Sequence, residues 1–306
     1  MIRTFAFTFF LLTLRSVISQ AEVTADTAAI RGHLKAITKS NSFRNYSDLK
    51  QLQKTADYIK TVFGKYTDQI AIQRFVVNGF EFSNVIASFG VGNTDRIIIG
   101  AHYDVCGKQE GADDNASGVT GLLELARMLR GQKLKHRIDL VAFSLEEPPF
   151  FRTENMGSYV HAKSLADSKA NVYGMISLEM IGYFRDDKNS QTYPPGVPAA
   201  VYGDKGDYIT LVTNLDNGNF ETKFCNAFVA TKAIKTNRFA GPPSMPGIDF
   251  SDHMNYWTFG FNAMMITDTS FYRNKNYHTA GDTMATLDIK RMAQVIDGIY
   301  KTVLAL

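Results

Sequence analysis

An excess of charge of one sign is nearly absent from this 306-residue chain: 33 Lys and Arg stand against 30 Asp and Glu, a formal balance of +3 with neutral histidines. That excludes a charge-driven nucleic-acid binder as the default, because phosphate recognition draws on a concentrated basic excess. Cysteine is scarce, at two residues, Cys106 and Cys225. Two are too few for a cysteine-rich scaffold. They are compatible with an oxidising compartment and could pair, although nothing in the sequence brings them together. Internal repeats and low-complexity tracts are missing, and no stretch after the N-terminal segment is long enough to cross a bilayer. Hydrophobic residues at 45% and aromatics at 12% supply a buried core and exclude disorder as the main state.

The first segment reads as an export signal. Met1, Ile2 and Arg3 make a short positive start, Thr4 to Leu14 is an apolar run, and Ser19-Gln20-Ala21 offers small residues at the spacing a signal peptidase reads. Arg15 cuts the run at 11 residues, where a membrane span needs about 20. The expected organisation is a signal over 1–21 and one domain over 22–306, secreted or periplasmic, with no stable membrane insertion once the signal is removed.

Thr27 to Thr38 and Asp48 to Phe63 carry apolar residues at helical spacing; in the second, Leu49, Leu52, Ala56, Ile59 and Phe63 share one face. From Ile70 the pattern changes to the β-rich runs IAIQRFVV, FSNVIASF and RIIIGAH, with Asn78-Gly79 as a turn signal between the first two. Then strand and helix alternate. Helices are expected at Ala116 to Leu129, Met156 to Ala166, Phe220 to Thr231 and Leu287 to Leu306, and strands at Ile138 to Ser144, Val172 to Leu178 and Ala263 to Thr267. Arg185 to Asp207, with Pro194, Pro195 and Pro198, and Gly241 to Gly247 read as surface excursions. This alternation predicts a single α/β domain with a central mixed, mostly parallel twisted sheet flanked by helices.

Acidic and histidine residues fall where such a sheet gathers its ligands. His102 ends the strand RIIIGAH, Asp114 precedes a helix, Glu146 and Glu147 end the strand IDLVAFSLEE, and Glu179 ends the strand VYGMISLE. Open α/β sheets bind ligands at the carboxyl edge, so positions distant in sequence converge there. Imidazole and carboxylate without thiolate suit zinc or a similar divalent ion at a catalytic site. Taken alone, Asp114 could be an N-cap and the Glu146-Glu147 pair two solvated acids before a proline turn.

The ordered set of motifs resembles the co-catalytic di-zinc aminopeptidases of the clan MH peptidases, the group typified by bacterial leucyl aminopeptidase. The matching segments are GAHYD at Gly100 to Asp104, GADDNASG at Gly111 to Gly118, Glu146-Glu147 with Gly157-Ser158 downstream, LEM at Leu178 to Met180, SDH at Ser251 to His253 and YHTAGDT at Tyr277 to Thr283. They run from about Ile70 to the C-terminus. The resemblance implies two zinc ions bridged by Asp114, with His102 and Glu179 completing one position and Glu147 and His278 the other. Two divalent ions, three ligand carboxylates and one bridging hydroxide then sum to zero charge. Glu146, free of metal, is implied as the general base. Both glutamates reach the site only if the backbone turns there, as Pro148 and Pro149 allow.

Asp104, two residues beyond His102, lies on the same side of an extended chain and is expected to accept the other ring N–H of His102 in support of catalysis. Asp252 and Asp282 either orient ligands or serve as turn and cap residues, and Asp113 and Asn115 could be loop residues. His253 stands between packing and ligand support, and His33, His136 and His161 read as ordinary surface or helix residues. A thiolate ligand from Cys106 lies outside the resembled pattern. Two departures from that pattern are Glu179, where Asp is common, and Ile248, where some members place a tyrosine. Asn45 and Asn115 fit glycosylation sequons.

The leading expectation is a secreted metallo-aminopeptidase with a peptide substrate and two Zn2+. A glutaminyl cyclase of the same fold and a metal-free binding domain are the rivals.

Overall fold

The computed structural model describes residues 23–306 apart from 41, 198 and 217; the expected export signal lies outside them. Eight strands form one sheet: β1 (Ile70–Val77), β2 (Phe80–Phe89), β3 (Arg96–His102), β4 (Arg137–Phe143), β5 (Val172–Glu179), β6 (Ile209–Thr213), β7 (Thr236–Ala240) and β8 (Ala263–Thr267). Their order is β1-β2-β4-β3-β5-β8-β6-β7. The four central strands β4, β3, β5 and β8 are mutually parallel, the pairs β1–β2, β2–β4 and β8–β6 are antiparallel, and β6–β7 is parallel. The architecture is the single α/β domain with a mixed, mostly parallel sheet that the strand-helix alternation predicts. The helices are α1 (Thr27–Thr38), α2 (Leu49–Phe63), α3 (Gly118–Leu129), α4 (Gly157–Asp167), α5 (Ala199–Tyr202), α6 (Asn219–Thr231), α7 (His253–Thr258) and α8 (Ile289–Ala305).

Period-two alternation sends the central strands' side chains to two cores. In β3, Ile97 and Ile99 join the larger core under α1, α2, α3, α6 and α8, while Ile98 joins the smaller one under α4 and α7. Ile138, Leu140 and Ala142 of β4 face the first core, and Val141 and Phe143 the second. Strands covered on both faces need the unbroken apolar runs seen in the sequence. Helix starts are fixed by capping carboxylates: Asp26 accepts the N–H groups of Ala28 and Ala29, Asp48 that of Gln51, and Asp288 that of Arg291. At the β1–β2 hairpin, Asn78 and Gly79 have φ of 52° and 81°, the geometry a two-residue turn requires.

Several details differ from the sequence expectations. Strands β6 and β7 and helices α5 and α7 are additional. The two strands have five residues each, and TNRFA of β7, at the sheet edge, mixes polar and apolar residues too evenly to give an apolar stripe. Helix α3 begins at Gly118 after an irregular turn over Ala112–Ser117, so Ala116 lies in that turn. β4 ends at Phe143 and the chain turns through Leu145, with φ of 62°, so Glu146 and Glu147 follow the strand instead of ending it. The excursion Arg185 to Asp207 is not purely superficial: buried Gln191 accepts from the Nε of buried Arg273 at 2.7 Å.

Cys106 and Cys225 are unpaired. Neither sequon asparagine is open to solvent: Asn45 is 5% exposed and donates to the Gly107 carbonyl, and Asn115 is fully buried. Among the described residues no helix is long and apolar enough to cross a membrane.

Candidate metal centre

The carboxyl ends of β3 and β5 deliver His102 and Glu179; the turn after β4 delivers Glu146 and Glu147, the turn before α3 delivers Asp114, and the segment after β8 delivers His278. The structure brings all six together. His102 Nε2 lies 3.2 Å from Asp114 Oδ1 and 3.5 Å from Glu179 Oε2. His278 Nε2 lies 3.0 Å from Asp114 Oδ2 and 3.1 Å from Glu147 Oε2. Asp114 therefore turns one oxygen to each imidazole, and the donors divide into two clusters that share its carboxylate. Glu146 Oε2 stands 3.8 Å from His102 Nε2, on the first cluster.

These donors fit divalent cations. Around a tetrahedral zinc with bonds of about 2.0 Å, neighbouring N and O donors lie roughly 3.3 Å apart, close to the 3.0–3.5 Å that separates each imidazole from its two carboxylates. His102 Nε2, Asp114 Oδ2 and His278 Nε2 are buried atoms without a hydrogen-bond partner of good geometry, which a buried polar group tolerates only when something else satisfies it. One grouping of donors that could hold an ion is His102, Asp114 and Glu147; a second is Cys106, Glu147 and His278.

Metal-free, the cluster neutralises itself with protons. Burial, with Glu179 and Glu147 adding and His102 opposing, holds Glu146 well above the usual carboxylate range. Burial and then Asp114 push Glu147 up to about 8, against the pull of His278. Burial likewise raises Glu179. The imidazoles answer in kind: burial disfavours their charge, yet Glu146 and Glu179 hold His102 well above its ordinary value. His278 reaches about 10 through Asp114 and Glu147. Burial would raise Asp114 too, but the two imidazoles bring it below the usual range. Cations placed among these donors would displace the protons.

Supporting contacts hold these candidate ligands in place. Asp104 lies 3.5 Å from His102 Nδ1, long for a hydrogen bond, so its hold on the ring is electrostatic. Its oxygens instead accept the backbone N–H groups of Glu146 at 3.2 Å and Glu147 at 3.0 Å, which shapes the turn that aims both glutamates. Asp282 accepts the N–H groups of Asp113 and Asp114 at 2.9 and 3.0 Å. Ser251 donates to Glu179 Oε2 at 2.7 Å. Asp252 is fully buried at the start of α7, its carboxyl raised to about 7 by burial.

Other sequence candidates go elsewhere. His253 packs edge-on against Trp257 with Nε2 on the Ile248 carbonyl, and burial lowers it to about 4, keeping it neutral. His161 is not a surface residue: it is buried, with Nδ1 2.6 Å from the Tyr256 hydroxyl. His33 contacts the Tyr58 hydroxyl, and His136 contacts Asp95.

One contributor carries no signal in a single sequence, and several motif residues take on roles the sequence left open. Arg44, nearly fully buried, donates to the carbonyls of Glu110 and Gly111 and pins the loop before Asp114. Gly111 has φ of 55°, and a Cβ there would lie 2.2 Å from the Asp114 carbonyl oxygen, so glycine is required. Asp113 accepts from Gly182 N–H and from the Asn274 side chain, while Asn115 donates to the Leu178 carbonyl. Both bolt the ligand turn to the end of β5 and are more than loop residues. Tyr277 stacks on His278 with centroids 3.8 Å apart.

A cleft of about 270 Å³ opens over Asp114, Glu146, Glu147, Glu179 and His278. Its walls are mainly apolar and aromatic, including Phe151, Val212, Phe239, Ile248 and Met265. Tyr193 and Tyr202 come from the Arg185–Asp207 excursion, and Pro246 to Ile248 from the second excursion and its end.

The chain is 42% identical over 274 residues to the uncharacterized protein YfbL of Escherichia coli (strain K12), covering 87% of this chain and 84% of that one. It is 25% identical over 275 residues to a probable leucine aminopeptidase of Trichophyton verrucosum, covering 85% and 68%. The structure superposes on LapB from Legionella pneumophila with a TM-score of 0.71 and 22% identity, covering 92% of this chain and 72% of that chain. It superposes on a glutaminyl cyclase from Fimbriiglobus ruber with the same TM-score, 17% identity and coverage of 92% and 96%. At those identities the two structures attest the fold alone. Residues 84–303 match the model of peptidase family M28, and the chain belongs to that family.

Proposed function

We propose that this protein is an exported zinc aminopeptidase that hydrolyses the N-terminal peptide bond of peptides whose first side chain is apolar. One observation carries the reading: the two oxygens of Asp114 face two different imidazoles, giving two adjacent donor clusters at the floor of an apolar cleft. His102, Asp114 and Glu179 would hold one zinc ion, and Asp114, Glu147 and His278 another. The cations would supply an acidified water and polarise the scissile carbonyl. Membership of a peptidase family makes a peptide the expected substrate.

The chain's own side chains supply the rest. Glu146, among the carboxylates and aimed by the Asp104 clamp on its amide, takes the proton from the attacking water and hands it to the departing amine. The aromatic walls exclude water and receive the first side chain. Tyr277 lines the cleft beside His278, and burial raises its hydroxyl above the ordinary pKa, so it stays protonated as a hydrogen-bond donor. Export is read from the charged start and apolar run of the first 21 residues.

The test is zinc stoichiometry combined with a panel of chromogenic aminoacyl substrates and a glutaminyl peptide, with and without chelator. Two zinc ions and chelator-sensitive release of apolar N-terminal residues support the reading. Cyclisation of the glutaminyl peptide without aminoacyl hydrolysis would replace it with a cyclase, and absence of stoichiometric metal would leave a binding domain.

A further inference from the structure

Cys106 sits in the loop after β3, and peptide hydrolysis as proposed above has no use for it. Its Sγ forms one group with a Glu147 carboxylate oxygen and a His278 ring nitrogen, all within 4.8 Å of one another. The backbone holds the cysteine there: the Cys106 N–H donates to Glu147 Oε1 at 3.0 Å, which leaves Glu147 Oε2 to His278. The loop is anchored in turn by Asn45, which donates to the Gly107 carbonyl, and by Arg44, which donates to Glu110 and Gly111. Within that group His278 Nε2 is a buried atom without a hydrogen-bond partner, and the adjoining carboxylate is in the same state. Asp114, 2% exposed, turns Oδ2 toward His278 Nε2 at 3.0 Å without a hydrogen-bond partner.

We infer that Cys106 is a fourth protein ligand of the Asp114–Glu147–His278 position, closing it, and that the His102–Asp114–Glu179 position is the open one. This rests on the metal-binding reading of the site. Zinc positions with four protein ligands are closed, whereas those with three keep a place for water or substrate. Sulfur and nitrogen donors on one tetrahedral zinc lie about 3.5 Å apart, given bonds of about 2.3 and 2.0 Å. The half-buried Cys106 side chain would move its Sγ from within 4.8 Å of the other two donors to that spacing. On binding, the S–H bond breaks, its proton passes to solvent, and the sulfur electron pair forms the metal bond with no change of oxidation state. Glu146 stands beside His102, on the open side, where a water to be deprotonated has room. The two positions therefore differ in job: one anchors and one reacts.

Cobalt(II) substitution of the purified protein reads the ligand directly. The wild type should show a near-ultraviolet sulfur-to-cobalt charge-transfer band together with visible ligand-field bands. Cys106→Ser should lose the former, keep ligand-field bands from the other position, and release one of its two ions to chelator at least about tenfold more readily. Cys225→Ser is the control and should keep the band, because Cys225 is buried in α6 and belongs to neither donor group. A cobalt-loaded wild type with ligand-field bands and no charge-transfer band, or a band that survives Cys106→Ser, overturns the inference alone. A protein that binds no cobalt overturns both the inference and the metal reading beneath it. Should Cys106→Ser not fold, wild-type protein provides the answer: zinc should protect Cys106 from alkylation, scored by mass spectrometry of its peptide, and alkylation unaffected by zinc refutes the assignment.

Discussion

Asp282 accepts the backbone N–H of Asp114 at 3.0 Å across 168 positions of sequence. The shared carboxylate of the cluster is thus aimed by a residue near the other end of the chain, and burial raises the Asp282 carboxyl to about 7. A side chain that orients a ligand in this way usually contributes 10- to 100-fold in metal affinity. Asp282→Asn, which keeps the size and loses one acceptor, is expected to weaken zinc binding by about that factor; chelator competition measures it. Wild-type affinity in the variant would show that the turn holds itself.

Glu146 lies close to the ligands but is the one carboxylate of the group that no donor cluster requires. Glu146→Gln should keep its zinc content and fold while kcat falls by at least about 100-fold, the scale of a lost general base. Metal analysis and steady-state kinetics on one preparation separate this from loss of the ions. Near-normal turnover would remove Glu146 from the role.

Protonation gives the metal-free protein an unusual pH profile. Glu147 at about 8, and Asp252 and Asp282 at about 7, are raised from 4.5 and 3.8, so the folded state holds more protons than the unfolded state between those limits. Raised folded pKa values contribute stability that is present below the unfolded values and lost as pH climbs through the folded ones. With chelator, the melting temperature should therefore fall as pH rises from about 4.5 to 8. With saturating zinc the trend over that window should reverse, because metal competes with those protons. Calorimetry with and without chelator tests both arms, and parallel profiles would contradict the electrostatics of the site.

Val212 lines the cleft from β6 and packs with Ile248 and Met265. Enlarging it narrows the space above the ligands without touching them. Val212→Phe should lower kcat/KM for a phenylalanyl substrate by tenfold or more relative to an alanyl one, since misfit of this kind is worth about 1–3 kcal/mol. Equal losses on both substrates would place the first side chain elsewhere.

Much of the central sheet was legible because its strands are covered on both faces and so consist of unbroken apolar runs such as IIIGA, while amphipathic helices such as α2 repeat every three or four residues. Short β6 and edge strand β7 offered neither signal. The six residues proposed to carry the chemistry could be named from strand ends and motif order. Their supports could not: Arg44 acts on backbone carbonyls 66 and 67 positions away, which leaves no local pattern. His161 looked ordinary because a histidine on a helix does not announce which face packs against Tyr256.

Sequence by itself determined the kinds of donor and the sheet edge to which they belong, because strand and helix periodicities are local properties of side-chain order. Tertiary structure alone decided that Asp114 presents one oxygen to each imidazole, that Asp104 grips the Glu146–Glu147 turn by its amides, and that Cys106 lies against Glu147 and His278. These are distances between groups separated by tens to hundreds of residues. Packing of the sheet, its helices and the loops between them fixes such distances, and no local pattern encodes them.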